Sequence, residues 1–589
     1  MSMALFRAVF ACPQQPIPTP RLSRPHIIRS DYQECSMSRP IDYDNSRAAL
    51  CNCIVSSPLG ASHHPNGLHK ITGGSEGLHR RRLKEVRHLL EKVEKGSLES
   101  LVMVDALQRL GIAYHFEEEI KSILHEHLLI STFDGYPGNI SLYEASLRFR
   151  LLRQEGYFMP ADIFEGFMTK EKSTVGYVFD LKLWKDIFGL MSMYEASHLG
   201  IQGEDILDEA ADFSKRALIL SVANDIKGTS SQILKELVSN TLSNPFHKSL
   251  PRFTSKSVQG YFAWPYEWTG AFGELAISDT NLVQSINQIE IRQISKWWSD
   301  LGLAKELKFA RDQPMKWYMW PMAILPDPKL SQERQDLTKA IAMIYIIDDI
   351  FDVYGSLDEL TLFAQAINRW ECNEELPNYM KACFRALDDI INDVSFNVFE
   401  KHGWNPTDLI RKSWARLCDA FLVEARWFTS RHSPLADEYL KNAIVSSGVH
   451  IVMVHSFAFL SESVNQHSLE MMLNNFPGIS SSTGEILRLW DDLGSAKDEN
   501  QEGHDGSYLD YYMKENPSCS LKGARDHMKE MISDAWKSLN KEFLFPDPFS
   551  PSLVRISLNT ARMVPLMYDY DENHHLQRIE EYMKSVLHV

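Results

Sequence analysis

Apolar residues recur at helical spacing through most of this chain, and this pattern constrains the fold more than any other feature. The pattern begins with Leu83, Val86, Leu89, Leu90 and Val93, which are separated by charged residues. From there to the C-terminus we find no convincing alternation of the kind that β-strands show, and no period that repeats across the chain. The sequence therefore predicts an all-α protein.

The length of 589 residues predicts two helical domains, because one hydrophobic core rarely supports a chain of this size. Residues 1–78 show no sustained period, and we predict that they are disordered or removed. Helix breakers are dense from Pro245 to Gly273, so we place the domain boundary just after them. The predicted domains are residues 79–276 and residues 277–589, the second being an antiparallel helical bundle.

The first 30 residues are basic and free of acidic residues. They contain Arg7, Arg21, Arg24 and Arg29, and the first acidic residue is Asp31. This composition resembles an organelle transit peptide and predicts a plastid location. The segment is also rich in proline, so a disordered tail on a cytosolic protein is the alternative.

The composition excludes several classes of function. A net charge of −17 argues against a nucleic-acid partner, since such binding depends on lysine and arginine. No run reaches about 18 consecutive apolar residues, so we expect no membrane span. The eight cysteines lack the paired spacing of a zinc site and fit a reducing compartment. An anionic small substrate remains possible if metal ions and arginines reverse the field locally.

Three carboxylates follow an apolar run that ends at Ile347. On an α-helix Asp348 and Asp352 would share one face, with Asp349 beside them. Acids at the end of an apolar helix repel each other and are costly to desolvate, and Mg²⁺ would relieve both costs. The alternative is a solvated helix end. A similar cluster at Asp388, Asp389 and Asp393 spreads around the helix, and we predict that it is surface.

A second group places Asp491, Ser495 and Glu499 four residues apart, which keeps all three on one helix face. A carboxylate, a hydroxyl and a carboxylate in a row can chelate one Mg²⁺ ion. Arg488 lies one turn earlier and is placed to meet the phosphate end of a metal-bound ligand. A charged surface helix is the alternative, but the apolar neighbours of these residues disfavour it.

Two carboxylate clusters about 140 residues apart indicate two helices that face each other across a cavity, with metal ions bridging to one diphosphate. Arg311, which precedes the first cluster, would add positive charge. Metal ions and arginines would stabilise a departing diphosphate, and aromatic side chains would face the carbocation left behind.

These motifs resemble those of the plant class I terpene synthases. Arg311-Asp312, Trp320 and the stretch from Tyr194 to Gly200 extend the resemblance from about residue 80 to the C-terminus. The resemblance implies an α-barrel-like N-terminal domain and a C-terminal domain that holds three Mg²⁺ ions, with Mn²⁺ as a possible substitute. It also implies a prenyl diphosphate substrate, and we expect a monomer.

The same resemblance assigns roles to the site residues. It implies that Asp348 and Asp352 bind metal with help from Asp349, and that a third ion is bound by Asp491, Ser495 and Glu499. Arg311 and Arg488 would hold the diphosphate, and Trp320 would line the pocket. The break at Ser446-Ser447-Gly448 lies where the family often has a kink that opens onto the cavity.

Three departures from the family pattern bear on the product. A tandem-arginine motif followed by tryptophan is absent near Arg80, Gln313 replaces a second basic residue, and Ser507 lies near the position of a frequent lysine. All three resemble the linalool and nerolidol synthases, which make acyclic alcohols.

Other interpretations fit less well. A class II cyclase would need an Asp-x-Asp-Asp motif, which does not occur, and a chain-elongating prenyltransferase would have a second DDxxD where Ser495 stands. A non-catalytic helical scaffold does not explain two complete metal motifs. A synthase that makes cyclic or acyclic hydrocarbons stays open, and so do the substrate's chain length and the product's stereochemistry.

Overall fold

The computed structural model describes residues 73–133, 140–169, 178–223, 229–254, 266–460, 467–468, 471–472, 477–495, 506–546, 549–568 and 577–587. Within these ranges the chain is helical, and the β-contacts reduce to an isolated bridge between Met168 and Phe179. The all-α prediction is therefore confirmed. The expected transit segment lies outside the described residues, except that residues 73–78 already belong to the first helix.

The N-terminal half consists of short and medium helices. They are α1 (Gly73–Lys92), α2 (Leu98–Arg109), α3 (Glu117–Phe133), α4 (Leu142–Gln154), α5 (Ile187–Ser197), α6 (Asp205–Ala223), α7 (Thr229–Ser243) and α8 (Pro251–Thr254).

The C-terminal half contains most of the long helices. They are α9 (Thr269–Leu301), α10 (Leu303–Glu306), α11 (Pro314–Ile324), α12 (Ser331–Asp349), α13 (Leu357–Arg369), α14 (Asn378–His402), α15 (Thr407–Ser430), α16 (Ala436–Ser446), α17 (Val449–Leu460), α18 (Gly478–Ser495), α19 (Tyr508–Glu515), α20 (Leu521–Leu544), α21 (Pro551–Tyr568) and α22 (Gln577–Leu587).

Two separate hydrophobic cores underlie this arrangement. One is built from α1 to α7 and ends with Trp268, Phe272 and Ala276 at the start of α9. The other takes over along the same helix from Ile291 and continues to the C-terminus. Helix α9 thus belongs to both cores, and the boundary predicted at residue 277 lies inside it. That boundary stays a prediction.

One apolar stretch, residues 436–460, is long and apolar enough to span a membrane. It is broken at Gly448, and 83% of its most apolar window is buried inside the helical core. Burial of this kind is typical of a core helix.

A buried carboxylate connects helix α9 to the N-terminal half of the chain. Asp279 on α9 is 0% exposed. It accepts a hydrogen bond from the hydroxyl of Tyr114, lies 2.8 Å from Nε2 of His115 and pairs with Arg252 at 3.1 Å. Burial alone would raise the pKa of Asp279, but His115 and Arg252 hold it below the usual value. His79 lies close enough to complete a metal-like cluster. Because both oxygens of Asp279 already have partners, one of them a cation, we interpret the cluster as structural.

Replacing Asp279 with alanine is expected to lower the free energy of unfolding by about 3–5 kcal/mol, since it leaves Arg252 beside a missing charge in a buried site. Denaturation by urea, followed by circular dichroism, measures the change. The exposed Asp389→Ala variant is the control, and a loss no larger than the control's would show that the network contributes little.

Candidate active site

The first acidic motif lies where α12 ends. The helix buries its apolar run against the second core and carries Asp348 (4% exposed) and Asp349 (5% exposed) at its C-terminus. The chain then continues as a π-helical turn, Ile350–Tyr354, which exposes Asp352. The sequence predicts that the α-helix continues through Asp352. The structure differs, because the hydrogen bonds of the π-turn span five residues and not the four of an α-helix, so the turn is wider than an α-helical turn. π-turns often occur at functional sites.

Arg311 is bonded to both buried acids of this motif. Its backbone N–H and its Nε donate to Oδ2 of Asp349 at 2.7 and 3.0 Å, and its guanidinium also pairs with Asp348. The guanidinium lies 4.8 Å from the ring centre of Tyr345. Burial opposes the charge of Arg311, but the two carboxylates hold its pKa above the usual value. Arg311 therefore provides positive charge beside both buried carboxylates of the motif.

The second acidic motif lies at the end of α18. Asp491 is buried, and burial, more than any other cause, raises its pKa to about 7. The charge of Asp348 contributes to the same rise, so the two motifs lie near one another, as the sequence predicts. Ser495 is the last residue of the helix, but its side chain is outside the described part of the chain, and so is all of Glu499.

Arg488 is held in place one turn before Asp491. It lies 3.4 Å from Oδ2 of Asp491 and donates to Oγ of Ser446 at 3.2 Å. Ser446 in turn donates to Oε1 of Glu424 at 2.7 Å. The serine belongs to the helix break, so the break also supplies a contact to this arginine.

Glu424 is a candidate site residue that the sequence analysis missed. It lies on α15, is 2% exposed, and its Oε1 also accepts from Asn442 at 3.0 Å. Its other oxygen, Oε2, is buried and has no hydrogen-bond partner within the described ranges of the chain. A buried carboxylate oxygen is costly to leave unpaired, and a cation would satisfy it. No acidic spacing in the sequence marks this residue.

An apolar pocket lies beside these charged groups, between α11, α12, α17, α18 and α21. Trp320 lines it and donates from Nε1 to the hydroxyl of Tyr345 at 3.1 Å. Gly448 lines it too, with φ at +73°, and a Cβ there would come within 2.9 Å of Ile344. A side chain at residue 448 would therefore strain the backbone and crowd the pocket. Trp320 and the helix break at Gly448 therefore both lie at this pocket, and the catalytic role expected for Trp320 stays a prediction.

Lys316 is a second residue that the sequence analysis missed. It lies on α11 one turn before Trp320 and is only 7% exposed. Burial, and then the charge of Arg311, lower the pKa of Lys316 well below its usual value. Lysine is rarely buried among aromatic residues without a role, and this run reads Lys316-Trp317-Tyr318-Met319-Trp320. A single charged residue directly before an aromatic and apolar run is therefore the sequence feature that marks Lys316 as a candidate.

The two positions that depart from the family pattern have structural roles at helix starts. Gln313 immediately precedes α11, and its carbonyl accepts from the backbone N–H of Lys316 and Trp317. Ser507 caps α19 in a reciprocal pair of bonds with Asp510. A substitution at residue 507 therefore also changes a helix cap. Among the other acids, Asp389 and Asp393 are exposed, as predicted.

The fold and this site define a metal-binding enzyme of two helical domains, and the chain belongs to the terpene synthase family. Residues 68–242 match the terpene synthase N-terminal domain, and residues 299–538 match the metal-binding domain of the family. The resemblance drawn from the motifs is thereby confirmed.

Several relatives have names that state a product. The chain is 50% identical to an (E)-nerolidol synthase from Cannabis sativa over 93% of this chain and 98% of the relative. It is 42% identical to the chloroplastic S-(+)-linalool synthase of Arabidopsis thaliana, with 90% of each covered. It is 44% identical to a chloroplastic tricyclene synthase from Antirrhinum majus, with 86% of each covered.

Among solved structures, isoprene synthase from grey poplar leaves is similar over 87% of this chain and 97% of its own, with 32% identity and a TM-score of 0.78. That structure contains three Mg²⁺ ions and dimethylallyl-S-thiolodiphosphate.

Proposed function

We propose that this enzyme ionises geranyl diphosphate, farnesyl diphosphate or both, and captures the allylic cation with water to form linalool or nerolidol. The proposal is supported by the described parts of both acidic motifs, which pair with Arg311 and Arg488 beside the pocket that Trp320 and Tyr345 line. Release of diphosphate from each substrate, measured with Mg²⁺ and with a chelator, tests the ionisation step.

The donor set fits Mg²⁺. Carboxylate oxygens are the ligands this ion prefers, and the buried, unpartnered oxygen of Glu424 is an independent sign that a cation belongs here. Asp348, Asp349 and Asp352 would hold ions on one side. Asp491, Ser495 and Glu499 would hold a third ion on the other. When bound, Mg²⁺ would neutralise charge on the departing diphosphate.

The arginines act on the diphosphate, and the aromatic side chains act on the carbocation. Arg311 and Arg488 hold the diphosphate as its bond to carbon breaks and it leaves with the electron pair. Arg311 must then give up its bonds to Asp348 and Asp349. Trp320 and Tyr345 present aromatic faces to the allylic cation. Water adds its oxygen at the tertiary carbon, and the proton it loses passes to diphosphate or to solvent.

Lys316 lies near Arg311, and the negative charge of a bound diphosphate would favour its protonated form, so that it would supply a third cation although residue 313 is uncharged. Replacing Lys316 with methionine is expected to lower kcat/KM by about 10- to 100-fold, since a hydrogen bond to a charged group contributes roughly 1.5–3 kcal/mol. The inhibition constant of inorganic diphosphate should rise by a similar factor, which a purely structural role would not produce. Lys316→Arg should retain more activity, and the exposed Lys305→Met variant is the control. An unchanged inhibition constant would remove Lys316 from the diphosphate site.

The product assignment depends on Gln313, Ser507 and the named relatives. A nerolidol synthase and a linalool synthase are among those relatives, which favours the alcohol. A tricyclene synthase is also among them, so hydrocarbon formation is the second candidate. Chain elongation and a scaffold role have no such support. The oligomeric state stays a prediction.

We also propose a plastid location, which the basic N-terminal segment and the chloroplastic names of two relatives support.

Deleting residues 1–50 is expected to leave turnover unchanged, because this segment has no helical pattern and precedes the family match that starts at residue 68. Steady-state kinetics of the truncated enzyme measure this. Loss of both solubility and activity would make the segment part of the folded enzyme, and a cytosolic fluorescent fusion of residues 1–50 would refute the plastid address.

A further inference from the structure

A second cavity, of about 200 Å³, lies between the two domains and outside the catalytic pocket. Its walls come from the end of α2, the segment before α8, and helices α11, α20, α21 and α22. Apolar side chains form much of the lining, among them Phe246, Leu250, Met322, Ala323 and Leu558. The cavity can therefore take an apolar group.

Arg562 lies in the cavity wall and has no acidic partner in the part of the chain that the structure describes. Nε of Arg562 donates to the carbonyl of His247 at 2.7 Å, and Nη1 donates to Oδ1 of Asn559 at 2.9 Å. No carboxylate of the described residues pairs with it. Burial, and then the nearby Arg555, lower the pKa of Arg562 to about 10. An anion in the cavity would supply the missing counter-charge.

The other two arginines of the cavity wall are each paired with a carboxylate. Arg252 pairs with Asp279 at 3.1 Å, and Arg555 pairs with Glu155 at 3.3 Å. The excess positive charge of the cavity is therefore that of Arg562. Because the arginine is fixed by two hydrogen bonds, it presents a preorganised group to a ligand.

The cavity also contains hydrogen-bond acceptors without donors. His247 contacts Oδ1 of Asn540 through Nε2 at 2.7 Å, and the amide of Asn540 donates to the carbonyls of His198 and Gly200. Asn540 thus offers an acceptor, so Nε2 of His247 carries the proton and Nδ1 is the acceptor. Nδ1 of His247 and Oε1 of Gln108 are buried and have no hydrogen-bond partner among the described residues. A ligand that satisfies this wall needs a hydroxyl as well as a negative charge.

We propose that this cavity binds a phosphate monoester with an apolar tail. The phosphate offers the counter-charge for Arg562, its monoanion keeps a P–OH that can donate a hydrogen bond, and the tail would fill the apolar walls. Helices α11 and α21, which form part of the cavity, also carry Trp320 and Thr560 of the catalytic pocket. The inference stands independently of the product proposed above.

Isothermal titration of the full chain in EDTA tests the proposal, with geranyl monophosphate, decanoate and inorganic phosphate as probes. Geranyl monophosphate should bind most tightly, since decanoate has a tail and a charge but no hydroxyl donor, and inorganic phosphate has no tail. Arg562→Gln should weaken its binding about tenfold or more, a loss of roughly 1.4 kcal/mol or above. Arg216→Gln, at an exposed position on α6, should leave it unchanged.

A second variant covers the case in which Arg562→Gln fails to fold. Arg555→Glu, at a half-exposed position, adds negative charge to the wall and should weaken binding by a similar factor. Arg488→Gln should not, because Arg488 belongs to the catalytic pocket. Three results would overturn the proposal. The first is that inorganic phosphate binds as tightly as geranyl monophosphate, and the second is that Arg488→Gln loses binding while the cavity variants keep it. The third is that geranyl monophosphate does not bind at all, in which case water fills the cavity.

Discussion

Turnover should fall by about a thousandfold or more when Asp348 is replaced by alanine. The carboxylate is buried where α12 ends, near Asp491, and its loss removes an anionic ligand from the ion that would neutralise the departing diphosphate. Such charge stabilisation contributes several kcal/mol, and about 4 kcal/mol corresponds to a factor near a thousand. Release of diphosphate from geranyl and farnesyl diphosphate, at saturating Mg²⁺, measures the effect.

The fold of this variant should survive. Arg311 loses one of its two acidic partners but keeps Asp349, at 2.9 Å. The sequence alone suggests that removing an acid relieves repulsion and stabilises the metal-free chain. The structure revises this expectation, because Arg311 already neutralises the pair, so we expect a small loss of stability. Asp389→Ala on the surface is the matched control. Wild-type turnover in a folded Asp348→Ala enzyme would remove the motif from the metal site.

The parts of the site that could be predicted from the sequence are those whose residues lie close along one helix. Asp348 and Asp349 are consecutive in the chain, and Arg488 and Asp491 are three residues apart on one helix, so the proximity within each pair follows from the sequence. The break before Val449 is visible for a similar reason, because Gly448 interrupts an otherwise continuous apolar pattern. Local geometry is sufficient in each case.

The parts that could not be predicted arise from packing between helices. Glu424 reaches the site only because Ser446, on the next helix, connects it to Arg488. No pattern of residue spacing in the sequence predicts the π-turn that exposes Asp352. The cavity beside Arg562 forms between elements more than 200 residues apart, and no local pattern marks an arginine that lacks an acidic partner.

The product should be an acyclic tertiary alcohol, mainly linalool from the ten-carbon substrate and nerolidol from the fifteen-carbon one. Cyclisation from the trans isomer requires diphosphate to return to the tertiary carbon, the chain to rotate and the group to leave again. This sequence needs a tightly held anion and a pocket that excludes water. Gln313 and Ser507 are uncharged at the two positions where the family resemblance implies cations that would strengthen that hold. Gas chromatography of the products decides the point, and mainly cyclic hydrocarbons would refute the assignment.

Adding positive charge at residues 313 and 507 tests whether the lack of charge there determines the product. The double variant Gln313→Arg, Ser507→Lys should raise the cyclic fraction, because an anion held longer has more time to return to the tertiary carbon before water attacks. The structure adds one control. Ser507 caps α19, and losing a cap of this kind costs about 1 kcal/mol, so Gln313→Arg, Ser507→Ala separates the lost cap from the added charge. If the lysine variant stays active and its cyclic fraction equals that of the alanine control, charge at residue 507 does not set the product. If neither variant exceeds wild type, the shape of the pocket around Trp320 and Gly448 becomes the better explanation, even with the alcohol assignment intact.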